Sequence, residues 1–182
     1  TYLGGSGNES PHSLVMNGAN ELLLFGTTSS GNFPTTESAF ERTFKGGPLV
    51  PDVIGYSYNG GADLVISRFK NDGTALLAST YVGGTGNDGF NPPGGELTRN
   101  YGDQLRGDII TDADNNVYVA TVTSSEDFPV SSSFGMTYGG GVTDAVTFKM
   151  DKDLSTIIWG AYLGGEQYDA ALSVKLDAER NV

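Results

Sequence analysis

The stretch Tyr2-Leu3-Gly4-Gly5 returns as Tyr81-Val82-Gly83-Gly84 and again as Tyr162-Leu163-Gly164-Gly165, so the chain is a repeat array. In such arrays each copy is one supersecondary unit that buries its apolar face against its neighbour. Three further landmarks follow the first two tyrosines. An apolar strand start stands at Leu14 and Ile109, a Phe-Pro pair at Phe33-Pro34 and Phe128-Pro129, and an aspartate opening a second strand pair at Asp63 and Asp144. Leu14 to Phe33 and Ile109 to Phe128 are both steps of 19 residues, and Asp63 to Tyr81 and Asp144 to Tyr162 are both steps of 18. The remaining steps differ only by inserted segments. The units therefore span about 2–80, about 81–161 and an incomplete 162–182, with insertions at about 42–60 and 89–103.

Each full unit reads as four short antiparallel strands in two hairpins. In the first unit, Leu14 to Met16 turns at Asn17-Gly18-Ala19-Asn20 into Leu22 to Phe25, and Leu64 to Phe69 turns at Asn71-Asp72-Gly73 into Ala75 to Tyr81. Asn and Gly supply the positive φ that tight turns need. The second unit repeats this with Ile109-Ile110, Val117 to Val119, Ala145 to Met150 and Ile157 to Trp159. Leu22, Leu23, Leu24 and Phe25 alternate between the two faces of a strand, yet all are apolar. Such a strand is covered on both sides. The expected fold is all-β, with two β-propeller blades of four antiparallel strands and the start of a third, as part of a larger propeller.

Composition narrows the function classes. Only ten Lys and Arg stand against 22 Asp and Glu, a formal net charge of −12, which is the wrong balance for a nucleic-acid partner. No apolar run approaches a membrane span. Without Cys there are no disulfides and no thiolate metal sites. His12 is the sole His and lies beside Pro11 in an expected connection, so a Ser-His-Asp arrangement has little to build on. No catalytic residues are assigned.

The Tyr-Leu-Gly-Gly-Ser-Gly-Asn stretch from Tyr2, the Gly26 to Thr35 run and the Gly-Gly-x-x-Asp run at Gly140 to Asp144 resemble the bacterial SBBP family of β-propeller repeats. Proteins with such repeats are often large exported surface proteins, and in Bacteroidota they are associated with type IX secretion and gliding motility. The resemblance implies an extracellular or cell-surface location and a noncatalytic binding, adhesion or scaffold role. It also implies a protein or glycan partner, contact with other blades and domains of the same chain, and handling by secretion machinery. The alternative is part of a polysaccharide-active enzyme whose catalytic residues lie mostly outside these residues.

Both insertions leave from the same end of an antiparallel blade, and in repeat proteins such an end is often the binding face. Tyr56, Tyr58, Phe90, Arg99 and Tyr101 are the residues there suited to recognition, being aromatic or guanidinium groups with large contact area and polar handles. The opposite end carries short acidic turns. Asp112, Asp114 and Asn116 match the opening of a calcium loop, with oxygen ligands at alternate positions, but Val117 and Thr123 stand where that loop requires Gly and Glu. Turn chemistry explains the same residues without a metal. The tyrosine and Phe-Pro motifs are expected to be structural anchors.

Overall fold

The structure, a computed structural model, describes residues 1–53, 55–95, 97–99, 103–131 and 137–182. Among the described residues there are ten strands and no helix. One sheet holds β1 (Glu9–Met16), β2 (Leu22–Thr28), β5 (Asp63–Phe69) and β6 (Leu76–Val82), in that order. The second holds β7 (Asp108–Thr111), β8 (Val117–Thr123), β9 (Asp144–Met150) and β10 (Ile157–Leu163). Every pairing in both sheets is antiparallel. A small hairpin of β3 (Val50–Val53) and β4 (Tyr56–Tyr58) lies inside the first insertion.

Each expected strand is present, but β2, β8 and β10 run three or four residues past the expected ends, and β1 starts earlier. β1 begins five residues before Leu14, because Glu9, Ser10 and Pro11 pair with Thr28, Thr27 and Gly26. The register slips between Pro11 and Ser13, so His12 is the extra residue of a bulge in a strand and does not lie in a connection. Its Nε2 meets Thr27 Oγ1 at 2.9 Å and its ring stands edge-on to Phe25, 5.1 Å between centroids. Burial lowers its pKa to about 4, so at neutral pH it is a neutral core group.

Residues opposite one another on paired strands share a face, and this register decides how the sheets meet. The first sheet presents Leu23, Phe25, Leu64, Ile66, Ala78 and Val82 to the second. The second answers with Ile109, Val117, Val119, Val146, Phe148 and Met150, forming one core. The repeat register places these six in the positions of Leu14, Leu22, Leu24, Val65, Ser67 and Phe69, which lie on the opposite face of the first sheet. The sheets thus stack through unlike faces. Leu14 and Met16 on that opposite face are 60% and 59% exposed. The far face of the second sheet holds Ile110, Tyr118, Ala120 and Trp159 beneath Ala171, Val174 and Leu176. Val174 occupies in the third copy the place of Leu14 and Ile109.

The third copy also reproduces a turn. The Asn17, Asp112 and Asp177 side chains each accept two backbone N–H groups, from Ala19 and Glu21, Asp114 and Asn116, and Glu179 and Asn181 respectively. The residue three positions on has positive φ each time: 59° at Asn20, 64° at Asn115 and 66° at Arg180. An Asx side chain that caps its own turn fixes this shape locally, so it forms where no flanking strand does.

Candidate functional site

The connection from the first sheet to the second is a clasp, and the same clasp opens the chain. In Gly83 to Asp88, the Asp88 carboxylate accepts the Gly84 N–H at 3.0 Å, the Ser125 hydroxyl at 3.1 Å and the Thr123 hydroxyl. The Gly86 and Asn87 N–H groups donate to Ser125 and Ser124 at 2.9 and 2.7 Å. Glu9 repeats this at the chain's start, accepting Gly5 N–H at 3.2 Å, the Thr28 hydroxyl at 2.9 Å and the Ser30 hydroxyl. Asp169 accepts Gly165 N–H at 2.8 Å in the third copy. An acid seven residues behind each motif tyrosine is therefore the latch, and the Thr-x-Ser at the end of β2 or β8 is its catch.

A second carboxylate closes the joint. Asp63 accepts the Lys45 and Gly46 N–H groups at 2.7 and 2.9 Å, and a Cβ on Gly83 would lie 3.0 Å from Asp63 Oδ1 and 2.5 Å from Asp88 Oδ2. Only glycine lets the backbone pass between two buried acids. Burial pushes Asp88 up to about 8 against its hydrogen bonds from Thr123 and Gly84, with the Asp63 charge adding to the rise. Burial likewise lifts Asp63 to about 6. At neutral pH the joint holds a proton on Asp88. Asp144 and Asp169 repeat the pair, and Asp144 too is raised, by burial and by Asp169.

The motif tyrosine anchors the Phe-Pro connection. Tyr81 Oη donates to the Ser30 carbonyl at 2.6 Å and accepts the Phe33 N–H at 2.9 Å. Tyr162 does the same with Ser125 at 2.7 Å and Phe128 at 3.0 Å. One buried hydroxyl thereby satisfies a donor and an acceptor of a loop that has no ladder partners. Phe128 itself packs against Phe148, 5.6 Å between centroids.

Both inserted segments rise from this end, because β2 ends at Thr28 opposite Asp63, where β5 begins, and Leu64 pairs with the last residue of β6, Val82. They meet each other. Tyr58 and Phe90 stand edge to face at 4.5 Å and, with Val50 and Ala62, form a satellite core. Tyr58 and Phe90 are 1% and 2% exposed, which corrects their reading as contact residues: their rings hold the two insertions together. Tyr58 Oη also pairs with Ser10 Oγ at 2.7 Å. Tyr56 is 64% exposed and Arg99 is exposed, its N–H donating to Asp103 at 3.1 Å. Tyr101 lies outside the described residues. Of the four described residues two are buried and two exposed, so these four do not make one surface.

What the insertions enclose is a cleft of about 340 Å³, walled by Leu49, Pro51, Phe90, Pro92 and Val142 and running to Asn87, Ser124 and Thr143. Sequence reasoning missed it, since prolines and aliphatic residues from three separate connections make its walls.

The acidic turn at the other end is filled by its own donors. Asp112 accepts Asp114 N–H and Asn116 N–H, each at 2.9 Å, on Oδ1. Its Oδ2 accepts the Asn116 amide at 3.1 Å, the Tyr118 hydroxyl at 3.2 Å and the Lys149 ammonium at 3.2 Å. Burial works against the charge, but hydrogen bonds from Asn116 and Lys149 hold Asp112 below the usual carboxylate range. Asp114 pairs with Arg180. Among the described residues no cluster of three or more His, Cys, Asp or Glu has a metal-holding arrangement. The geometry favours turn chemistry over a calcium loop.

Comparison with protein-family models, with curated proteins and with solved structures finds no match.

Proposed function

We propose that these residues are consecutive blades of a larger β-propeller, acting as a noncatalytic binding or scaffold module at a cell surface or outside the cell. The observation that carries the reading is the stacking of the two sheets through unlike faces. A head-to-tail interface of this kind leaves one face of each type for further sheets, and a rotational repeat closes it into a ring. The apolar positions Leu14 and Met16, exposed on one side, are the counterparts of Ile109 and Thr111 at the sheet-to-sheet interface. The likeness of the repeat motifs to SBBP repeats supports an exported protein with a protein or glycan partner. It also supports contact with other blades of the same chain.

The loop end is the binding end in this reading, because both insertions rise there and enclose a cleft, while the opposite end is closed by self-capped turns. Shortening the insertions within 48–60 and 90–103, which spares the Lys45 and Gly46 bonds to Asp63, is expected to abolish partner capture by the surface-displayed protein. Circular dichroism verifies that the two sheets persist. Capture that survives with both insertions removed would refute the assignment.

A further inference from the structure

The cleft between the insertions continues into a second depression, and the two differ in chemistry. Ser124 lines both. On one side Leu49, Pro51, Pro92 and Val142 make the walls apolar, with Leu49 56% and Val142 44% exposed. On the other, a hollow of about 410 Å³ is lined by Pro48, Thr85, Gly86, Glu126 and Asp127. Its ionisable groups are acids. Burial opposes the Asp127 charge, but the Thr85 N–H and hydroxyl, donating at 2.7 and 3.1 Å, hold that carboxylate below its ordinary range. The Lys45 ammonium, the basic group that acts on Asp127, is bonded to the Gly83 carbonyl at 3.1 Å. Glu126 is exposed at the rim.

From this juxtaposition we infer that the groove is a docking site for an extended peptide carrying a basic residue next to an aliphatic one. The inference rests on the reading of the loop end as the binding end and names its ligand class. Charge complementarity commits the occupant. An apolar slot alone accepts many groups, but an acidic hollow continuous with it favours a Lys or Arg a residue or two from the buried side chain. The chain's net charge of −12 adds long-range attraction for a basic partner. The proline walls present flat surfaces to an extended backbone, and pre-formed walls reduce the ordering cost of binding. Sugar hydroxyls donate to carboxylates, but a neutral glycan brings no cation to pair with Glu126 and Asp127.

Binding of two fluorescein-labelled peptides to the full 182-residue chain, followed by anisotropy, tests this. One carries Gly-Ser-Leu-Arg-Ser-Gly and the other Gly-Ser-Leu-Glu-Ser-Gly; a neutral cello-oligosaccharide serves as competitor. The basic peptide is expected to bind at least tenfold more tightly than the acidic one, and several-fold more weakly when salt is raised from about 50 to about 300 mM. Glu126→Lys and Val142→Glu, both exposed positions, are each expected to cost at least fivefold with the melting curve unchanged. Equal binding of the two peptides, no binding of either, or displacement by the oligosaccharide would overturn the peptide assignment. If partner capture still disappears on removal of the insertions, the binding end stands and only this ligand class falls.

Discussion

Between about pH 6.5 and about pH 8 the chain is expected to lose about 2 kcal/mol of stability, its melting temperature falling as pH rises. The cause is Asp88, raised to about 8 in the folded chain from 3.8. A carboxyl whose folded pKa is raised keeps a proton that the unfolded chain has released, so stability is full below about pH 4 and is lost up to the folded value. Asp63, raised to about 6, adds to the loss at lower pH. His12 opposes it there, since its folded pKa of about 4 lies below 6.5 and the unfolded chain then binds the extra proton. Above about pH 6.5 what remains of those two titrations amounts to a few tenths of a kcal/mol or less each and opposite in sign, so that window reads mainly Asp88. Replacing Asp88 by Asn removes the charge: the amide nitrogen at the Oδ1 position donates to the Thr123 hydroxyl, which turns to accept, and the amide oxygen keeps the Gly84 N–H and the Ser125 hydroxyl. The variant is expected to melt at nearly one temperature across that window and to exceed the parent at pH 8. A parent melting temperature that does not move between the two pH values would show that the joint is ionised throughout.

Phe128→Ala is expected to cost about 3 to 5 kcal/mol, the range for emptying a buried aromatic site. Phe128 is 3% exposed within the main core and its backbone N–H is held by Tyr162. Tyr162→Phe separates the two contributions. It keeps the ring and leaves the Phe128 N–H and the Ser125 carbonyl only their long 3.4 Å bond to each other, so about 1 to 3 kcal/mol is expected. Phe33→Ala should cost less than Phe128→Ala, because Phe33 sits in a small cluster with Val65 and Tyr81 on the open face of the first sheet. Urea titrations of the three variants measure the order. A loss below about 1 kcal/mol for Phe128→Ala would contradict its anchoring role.

Much of the fold was legible because periodicity and turn chemistry agree at the same residues. Asn17, Asp112 and Asp177 mark the same turn three times, and the apolar pairs Leu22 and Val117, Leu24 and Val119 keep one spacing. The extension of β1 back to Glu9 was hidden by Pro11, which reads as a break until a bulge accommodates it. Tyr58 and Phe90 were misread for a different reason. Exposed and buried aromatics are the same letters in sequence, and only contact between two insertions distant in the chain buries these. Asp88 carried a usable signal that was overlooked: Glu9, Asp88 and Asp169 hold one position behind each motif tyrosine. Its burial depends on Thr123 and Ser125, more than 30 residues away, and so had no local trace.

Stacking through unlike faces is the central claim, and adding a sheet tests it most directly. A chain in which residues 83–163 are repeated in tandem after Leu163, with the copied tryptophan changed to Phe, puts a full third sheet in place of Ala171, Val174 and Leu176 over Ile110, Tyr118, Ala120 and Trp159. If the faces stack head to tail, the extended chain melts in one cooperative transition at a higher temperature than the parent, and Trp159 fluorescence shifts to the blue as it is covered. Two transitions, with the first at the parent's temperature and Trp159 emission unchanged, would contradict it.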